Sequence, residues 1–142
     1  MYQKIAVEVT VKDENDNAPV FAHANAQPIN GGLITVELME NSAVGGKIEM
    51  PQLRASDEDP GLFGDIKYEL GPEGEFELVN ENFRTYLIPL NELDRESKPD
   101  WTGTVIARDG GGREARTRLK VSIIVFKILK QFKDLPVFWK IL

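Results

Sequence analysis

The chain has 142 residues, of which 42% are hydrophobic and 28% are charged, a composition that suits one folded domain and argues against disorder. Its formal net charge of -6 argues against nucleic acid as the main partner, because a phosphate backbone attracts a basic surface. There is no cysteine, which excludes a disulfide framework, and we find neither a visible signal peptide nor an apolar run long enough to span a membrane.

Short runs of alternating apolar residues follow one another along the chain. The first run, with Ile5, Val7, Val9 and Val11 on one face, predicts a half-buried strand over residues 1–12. Six further strands are predicted, at 33–38, 66–70, 76–78, 84–88, 104–107 and 115–125. Because clusters of Gly, Pro, Asn and Asp separate these runs, the pattern is typical of an all-β sandwich or barrel.

The composition changes at Phe126, where a basic and apolar tail begins. Residues 126–142 hold four lysines and one aspartate among large apolar side chains. Several of these apolar residues have helical spacing, and Pro136 would end such a helix. Two interpretations stay open, an amphipathic segment for a membrane surface or a partner, and a loosely ordered end of the chain.

An acidic connector, Asp13 to Asn17, follows the first predicted strand. All five of its side chains carry oxygen, so the run cannot be buried without binding partners. Pro19 favours an extended backbone at Ala18. Oxygen donors on a short extended connector suit a hard divalent cation, above all calcium, whereas the alternative is a solvated polar turn.

Four further acidic clusters lie at the ends of predicted strands. They comprise Glu40, Asp57 with Glu58 and Asp59, Asp94 with Glu96, and Asp109. In a sandwich the loops gather at two ends, so acids that are distant in sequence can meet. Two carboxylates about 4 Å apart repel by on the order of 4 kcal/mol at an effective dielectric constant near 20, so such a group requires water or a cation. Calcium fits better than zinc, because the chain has no cysteine and a single histidine, His23, to which we assign no role.

Two rival functions can be weighed on the same residues. An EF-hand beginning at Asp13 is excluded, because Ala18 stands where glycine is required and Ala24 where a bidentate glutamate belongs. A glycoside hydrolase would use the pair Asp57/Asp59 or the pair Asp94/Glu96 as acid and base. Such an enzyme needs a deep cleft, for which this short chain offers little room, so the sequence predicts that the protein is not an enzyme and has no small-molecule substrate.

Taken together, five segments resemble a cadherin ectodomain repeat in the order in which that family has them. These segments are 13–21, 40–41, 57–68, 93–96 and 107–110. The resemblance covers residues 1 to about 125 and implies a seven-stranded Greek-key, immunoglobulin-like β-sandwich. It divides the chain into the last strand of a preceding repeat (1–12), an inter-repeat linker (13–17), a complete repeat (18–125) and an atypical tail (126–142).

The resemblance also implies two calcium half-sites at opposite poles of the sandwich. The N-terminal pole would use the side chains of Asn15 and Asp16, the backbone carbonyls of Glu14 and Asn17, the loop acids Asp57, Asp59 and Asp109, and the carbonyl of Phe63, where the family has Asn. The opposite pole would use Glu40, Asp94 and Glu96. Glu58 lies between two ligands and is expected to be solvated.

The resemblance to cadherins also implies a function. Cadherins bind calcium between consecutive repeats, which stiffens a row of domains for cell–cell adhesion. The resemblance thus implies a calcium-binding structural module on the extracellular side of the plasma membrane, within a longer protein. Its partners would be neighbouring cadherin repeats and cadherins on an opposing cell, in contacts that include homophilic ones.

A degenerate or truncated product is the alternative to a full adhesive module. The strand that ends at Val125 leads into residues 126–130, which hold no carboxylate, instead of into a second acidic linker. Glu40, Asp94 and Glu96 then lack part of their ligand set, and fewer charged ligands mean a lower calcium affinity. The family's strand-swapping tryptophan near the N-terminus is also absent, and Trp101 is expected to pack in the core.

Overall fold

The computed structural model describes residues 1–22 and 32–125. Nine β-strands and one short 3-10 helix lie in these two ranges. The strands are β1 (Val20–Phe21), β2 (Leu33–Met39), β3 (Ile48–Glu49), β4 (Ala55–Ser56), β5 (Lys67–Gly71), β6 (Phe76–Glu81), β7 (Arg84–Pro89), β8 (Asp100–Arg108) and β9 (Glu114–Ile124), and the 3-10 helix is Gly61–Gly64. Within the described ranges no helix is long and apolar enough to cross a bilayer.

The strands form two layers. One layer is a four-stranded sheet in the order β2-β9-β8-β5, in which β2 runs parallel to β9 and the other pairs are antiparallel. The other layer contains the antiparallel sheet β3-β7-β6 and the pair β1-β4. The fold is thus all-β in several sheets, as the sequence predicted.

Alternating side chains of the long strands build the core between the layers. Every second residue of β2 and β9 is buried, as the two-residue period of a strand requires. These residues are Ile34, Val36 and Leu38 on β2, and Thr117, Leu119, Val121 and Ile123 on β9. Trp101 is 6% exposed and packs edge-on against Phe76, with ring centroids 5.2 Å apart, which confirms its expected place in the core.

Three features of the fold differ from the sequence expectations. Residues 1–12 form no strand, and Ile5, Val7, Val9 and Val11 are 78 to 86% exposed, because the described residues give this segment no partner for its backbone hydrogen bonds. The two-residue strands β1, β3 and β4 were not expected, since so short a run has no readable period. Val125 was expected on the buried face of β9, but it lies beyond the end of that strand and is exposed.

Two parts of the sequence interpretation lie outside the described residues. The tail 126–142, with its amphipathic pattern, is one of them. The other is 23–31, which includes His23. The polar connector and all the proposed ligand residues lie within the described ranges, so their positions can be compared with the expectations.

Candidate metal centre at the N-terminal pole

The connector 13–17 is held against one end of the sandwich by the residues that follow it. Pro19 and Phe21 are fully buried and fix the path of the chain into β1. From this anchored position Asn17 donates two hydrogen bonds to Asp59, from its backbone nitrogen to Oδ2 (2.9 Å) and from its Nδ2 to Oδ1 (2.7 Å). The connector thus meets a loop that is 42 residues away in the sequence.

Asp59 and Asp57 lie together in the loop between β4 and the 3-10 helix. Asp57 Oδ1 accepts a hydrogen bond of 2.9 Å from the backbone nitrogen of Asp59, which closes a tight turn and sets the direction of both carboxylates. Asp59 is only 7% exposed, whereas Glu58 between them is exposed to solvent. Of the two acids that were predicted as ligands, Asp59 contacts the connector directly, and Asp57 is linked to it through the Asp59 backbone.

Asp109 organises the turn between β8 and β9 and also reaches the connector. Its Oδ1 accepts hydrogen bonds from the backbone nitrogens of Gly111 (2.9 Å) and Arg113 (2.8 Å). The same atom accepts one from Asn15 Nδ2 at 3.2 Å. Asp109 is 5% exposed, so this carboxylate is buried where the β8–β9 turn meets the connector.

Three buried oxygen atoms at this pole have no hydrogen-bond donor. They are Asn15 Oδ1, Asp57 Oδ2 and Asp109 Oδ2. Among all the side chains in 1–22 and 32–125, no other buried nitrogen or oxygen atom lacks a partner. A buried polar atom without a partner costs about 1–3 kcal/mol, so a group that binds these three oxygens would stabilise the pole.

The chemistry of these oxygens fits calcium. Two belong to carboxylates and one to an amide, which are the hard donors that Ca²⁺ takes in proteins. Within the described ranges no three histidine, cysteine or carboxylate side chains are grouped closely enough to hold a metal by themselves. A cation at this pole would therefore need oxygens from the connector as well as from the loop acids.

The electrostatics of the pole favour a cation. A hydrogen bond to Asp59, together with the charge of Asp59, raises the pKa of Asp16 above its ordinary value. Burial acts to raise the pKa of Asp59, but the hydrogen bonds from Asn17 outweigh it and the pKa is lowered. The two carboxylates thus compete for one proton, and a cation between them would favour the ionised form of both.

The other predicted ligands of this pole were expected to bind through their backbone carbonyls. Glu14 is exposed, and Phe63 lies half-buried in the 3-10 helix. Both were expected to contribute a backbone carbonyl, as was Asn17, and these roles stay predictions.

Within the described residues no hydrogen bond links the side chains of the three acids of the opposite pole to one another. Asp94 instead accepts hydrogen bonds within its own loop, from the Glu96 backbone nitrogen (3.0 Å) and from Ser97 Oγ (2.5 Å). These bonds, that of Ser97 first, lower the pKa of Asp94. Glu96 is exposed, and Glu40 lies directly after β2, where its backbone nitrogen donates to the Ile124 carbonyl at 3.0 Å.

Two glycines and an arginine of the N-terminal pole were not among the predicted site residues. A Cβ atom on Gly111 would lie 1.9 Å from Asn15 Nδ2, and one on Gly110 would lie 2.0 Å from the Leu62 carbonyl oxygen. Only glycine allows these approaches, and the run of three glycines after Asp109 was the available signal. Arg113 Nη1 donates to the backbone carbonyl of Asp16 at 3.2 Å, for which the sequence contains no signal.

The position of the main groove argues against the hydrolase alternative. An open groove of about 1200 Å³ lies beside β4 and β5, and its apolar lining includes Met50, Leu53, Ile66 and Tyr68. Neither the pair Asp57/Asp59 nor the pair Asp94/Glu96 lines it. An acid–base pair needs a substrate cleft above it, so this arrangement does not suit glycoside hydrolysis.

Curated cadherin sequences are similar to most of the chain. Protocadherin-11 X-linked from Homo sapiens is 32% identical over 136 residues, which are 96% of this chain and 9% of that protein. Cadherin-23 from Mus musculus is 36% identical over 119 residues, which are 83% of this chain and 3% of that protein. The chain thus spans less than a tenth of the length of these relatives. No family model matches it.

Solved structures of cadherin domains share the fold. PcdhgB3 EC1-4 superposes with a TM-score of 0.66 at 28% sequence identity, over 80% of this chain and 26% of that chain. Mouse Cadherin-23 EC22-24 superposes with a TM-score of 0.60 at 27% identity, over 80% of this chain and 34% of that chain. The β-sandwich is therefore a cadherin ectodomain repeat, and the chain belongs to the cadherin family.

Proposed function

We propose that this repeat binds calcium at its N-terminal pole and thereby stiffens the junction with a preceding cadherin repeat. The observation that carries the proposal is that three buried oxygens, Asn15 Oδ1 on the connector and Asp57 Oδ2 and Asp109 Oδ2 on the two loops that the connector contacts, have no donors. Asp16 and Asp59 complete the group of acids beside them. Bound calcium would supply positive charge that satisfies these oxygens and removes the repulsion between the carboxylates.

The connector would link calcium binding to the stiffness of the junction between repeats. Asn15 binds Asp109 and Asn17 binds Asp59, so the connector already lies against the repeat. An ion that is shared between the connector and the loops would add further links between the same two parts. In this proposal Glu14, Asn17 and Phe63 contribute through backbone carbonyls, and Glu40, Asp94 and Glu96 serve a second junction at the opposite pole.

Residues 1–12 have the role of the last strand of that preceding repeat. Their apolar residues alternate and are exposed, as expected of a strand whose sheet and core belong to a different domain. The partners we propose are therefore neighbouring cadherin repeats. Adhesion to cadherins on an opposing cell, including homophilic adhesion, belongs to a longer protein on the extracellular side of the plasma membrane.

Isothermal titration calorimetry with calcium tests this function on the full chain. The test variant is Asp109→Asn, which keeps Oδ1 as the acceptor for the turn but removes the charge. Its matched control is Glu58→Gln, which removes one charge from an exposed side chain of the same pole. Extracellular calcium modules have a Kd of about 10⁻⁴ to 10⁻³ M, so the titration extends to tens of millimolar.

We expect the unmodified chain and Glu58→Gln to bind calcium and to melt at a higher temperature when calcium is present. Asp109→Asn should lose most of the binding and most of the thermal shift, because an amide NH2 group that cannot bind a cation then replaces the orphaned Oδ2 and the negative charge is lost. Equal calcium affinity in Asp109→Asn and Glu58→Gln would refute the site. If none of the three proteins binds calcium, the alternative of a degenerate product with weak calcium binding is favoured.

A further inference from the structure

Arg113 places a positive charge inside the proposed calcium pole. Its guanidinium donates to the backbone carbonyl of Asp16 at 3.2 Å, and its backbone nitrogen donates to Asp109 Oδ1 at 2.8 Å. Its charge also contributes to lowering the pKa of Asp59. One residue of the β8–β9 turn thus reaches the connector and influences two of the acids.

The charge of Arg113 is not neutralised by a carboxylate of its own. Within the described residues its guanidinium makes no ion pair closer than 4 Å. The neighbouring arginines differ, since Arg116 pairs with Glu114 at 2.7 Å and Arg108 pairs with Glu69 at 3.3 Å. No paired carboxylate therefore offsets the positive charge of Arg113, and this charge acts on the acids of the pole.

We propose that Arg113 acts as a built-in competing cation, which holds the connector in place without calcium and lowers the affinity of the pole for calcium. This inference rests on the proposed function and deepens it, because it concerns the tuning of the same site. The reasons are the position and the charge of the guanidinium. Its positive charge partly neutralises the acids, as the ion would, and it repels a calcium ion that binds nearby.

The expected size of the effect follows from the charges and the exposure. A single and a double positive charge separated by about 7 to 10 Å in an aqueous environment repel enough to change an affinity about threefold to tenfold at low ionic strength. Arg113 is exposed, so salt screens the interaction, and the Debye length falls to about 8 Å at 0.15 M. The effect should therefore shrink as salt is added.

The test compares calcium affinity and calcium-free stability of four full-length proteins. They are the unmodified chain, Arg113→Gln, Arg113→Lys and Arg116→Gln. Arg113→Gln removes the charge, Arg113→Lys keeps it with a different shape, and Arg116→Gln removes one charge three positions further along, in β9. Calorimetry with calcium chloride is run at about 20 mM and about 200 mM sodium chloride, where screening differs strongly, and melting is followed in a chelator.

Arg113→Gln should bind calcium about threefold to tenfold more tightly at low salt, with a smaller gain at high salt, and should melt at a lower temperature without calcium. Arg113→Lys should bind calcium as the unmodified chain does, and Arg116→Gln should change the affinity less than Arg113→Gln does. Competition predicts that Arg113→Gln raises calcium affinity and lowers calcium-free stability. If the arginine were merely structural, its replacement would lower both.

Three results would overturn the inference in different ways. If the unmodified chain binds calcium but Arg113→Gln binds it equally or more weakly, the inference fails and the proposed function stands. If Arg113→Lys behaves like Arg113→Gln, the contact and not the charge matters, and the inference fails again. If none of the four proteins binds calcium, the proposed function fails and the inference fails with it.

Discussion

Replacing Gly111 by alanine should separate Asn15 from Asp109. The added Cβ would lie 1.9 Å from Asn15 Nδ2 and 2.6 Å from Asn15 Cγ, whereas an ordinary contact needs about 3.4 Å or more. Asn15 must therefore move by on the order of 1 Å, which breaks its 3.2 Å hydrogen bond to Asp109. The substitution thus removes Asn15 from the site without altering any acid.

The net cost in stability can be worked out from two opposing contributions. A hydrogen bond to a charged group contributes about 1.5–3 kcal/mol. A glycine-to-alanine change returns about 0.4–1 kcal/mol by restricting the unfolded chain. We therefore expect the free energy of unfolding without calcium to fall by about 1–2 kcal/mol, which corresponds to a decrease in Tm of about 3–8 °C. Calcium affinity should fall as well, because Asn15 Oδ1 is displaced.

Gly45→Ala is the matched control. Gly45 has a φ of +76°, and no atom lies within 4 Å of the point where a Cβ would stand, so alanine is strained there but meets nothing. It should lower stability by a similar amount, about 1–2 kcal/mol, and leave calcium affinity unchanged. Chemical denaturation and calorimetry measure both quantities. If Gly111→Ala kept the calcium affinity of the unmodified chain, the packing of Asn15 against the β8–β9 turn would not matter for the site.

Two further predictions concern parts of the fold away from the calcium pole. Trp101→Ala should lower the free energy of unfolding by about 3–5 kcal/mol, because it removes a buried ring that packs on Phe76, and a change under about 1 kcal/mol in urea denaturation would contradict this packing. Ser97→Ala should weaken the dependence of Tm on acid pH. The hydrogen bond from Ser97 holds the pKa of Asp94 below its ordinary value of 3.8, so the stabilisation is complete above that pH and is lost as the pH falls through the folded-state pKa. Equal acid slopes in the two proteins would refute this link.

The long strands were predictable because their periods are sustained. Seven residues of β2 and eleven of β9 alternate between core and solvent, which is enough to fix both the strand and its buried face. The two-residue strands β3 and β4 depend on partners elsewhere, β7 and β1, so no local signal reveals them. The alternation in 1–12 has the form of a strand, but a strand requires a neighbour for its backbone groups.

The contact between the connector and the loop acids was predictable from the sequence, whereas the distances of closest approach were not. Acids at strand ends suggested one pole, and the contacts Asn15–Asp109 and Asn17–Asp59 join connector and loops there. The same reasoning placed Asp94 and Glu96 at the opposite pole, where Asp94 accepts hydrogen bonds from its own loop and the ligand roles stay predictions. The roles of Gly111 and Arg113 arise from how closely the turn meets the connector, which spacing along the sequence does not encode.

A crystal structure of the full chain grown with about 10 mM calcium chloride, well above the Kd of extracellular modules, would show whether the N-terminal pole holds an ion. We expect one calcium ion with Asn15 Oδ1, Asp57 Oδ2 and Asp109 Oδ2 among its ligands, each about 2.3–2.6 Å away. An ion bound elsewhere, or three oxygens that turn to water with no ion between them, would contradict the proposed site.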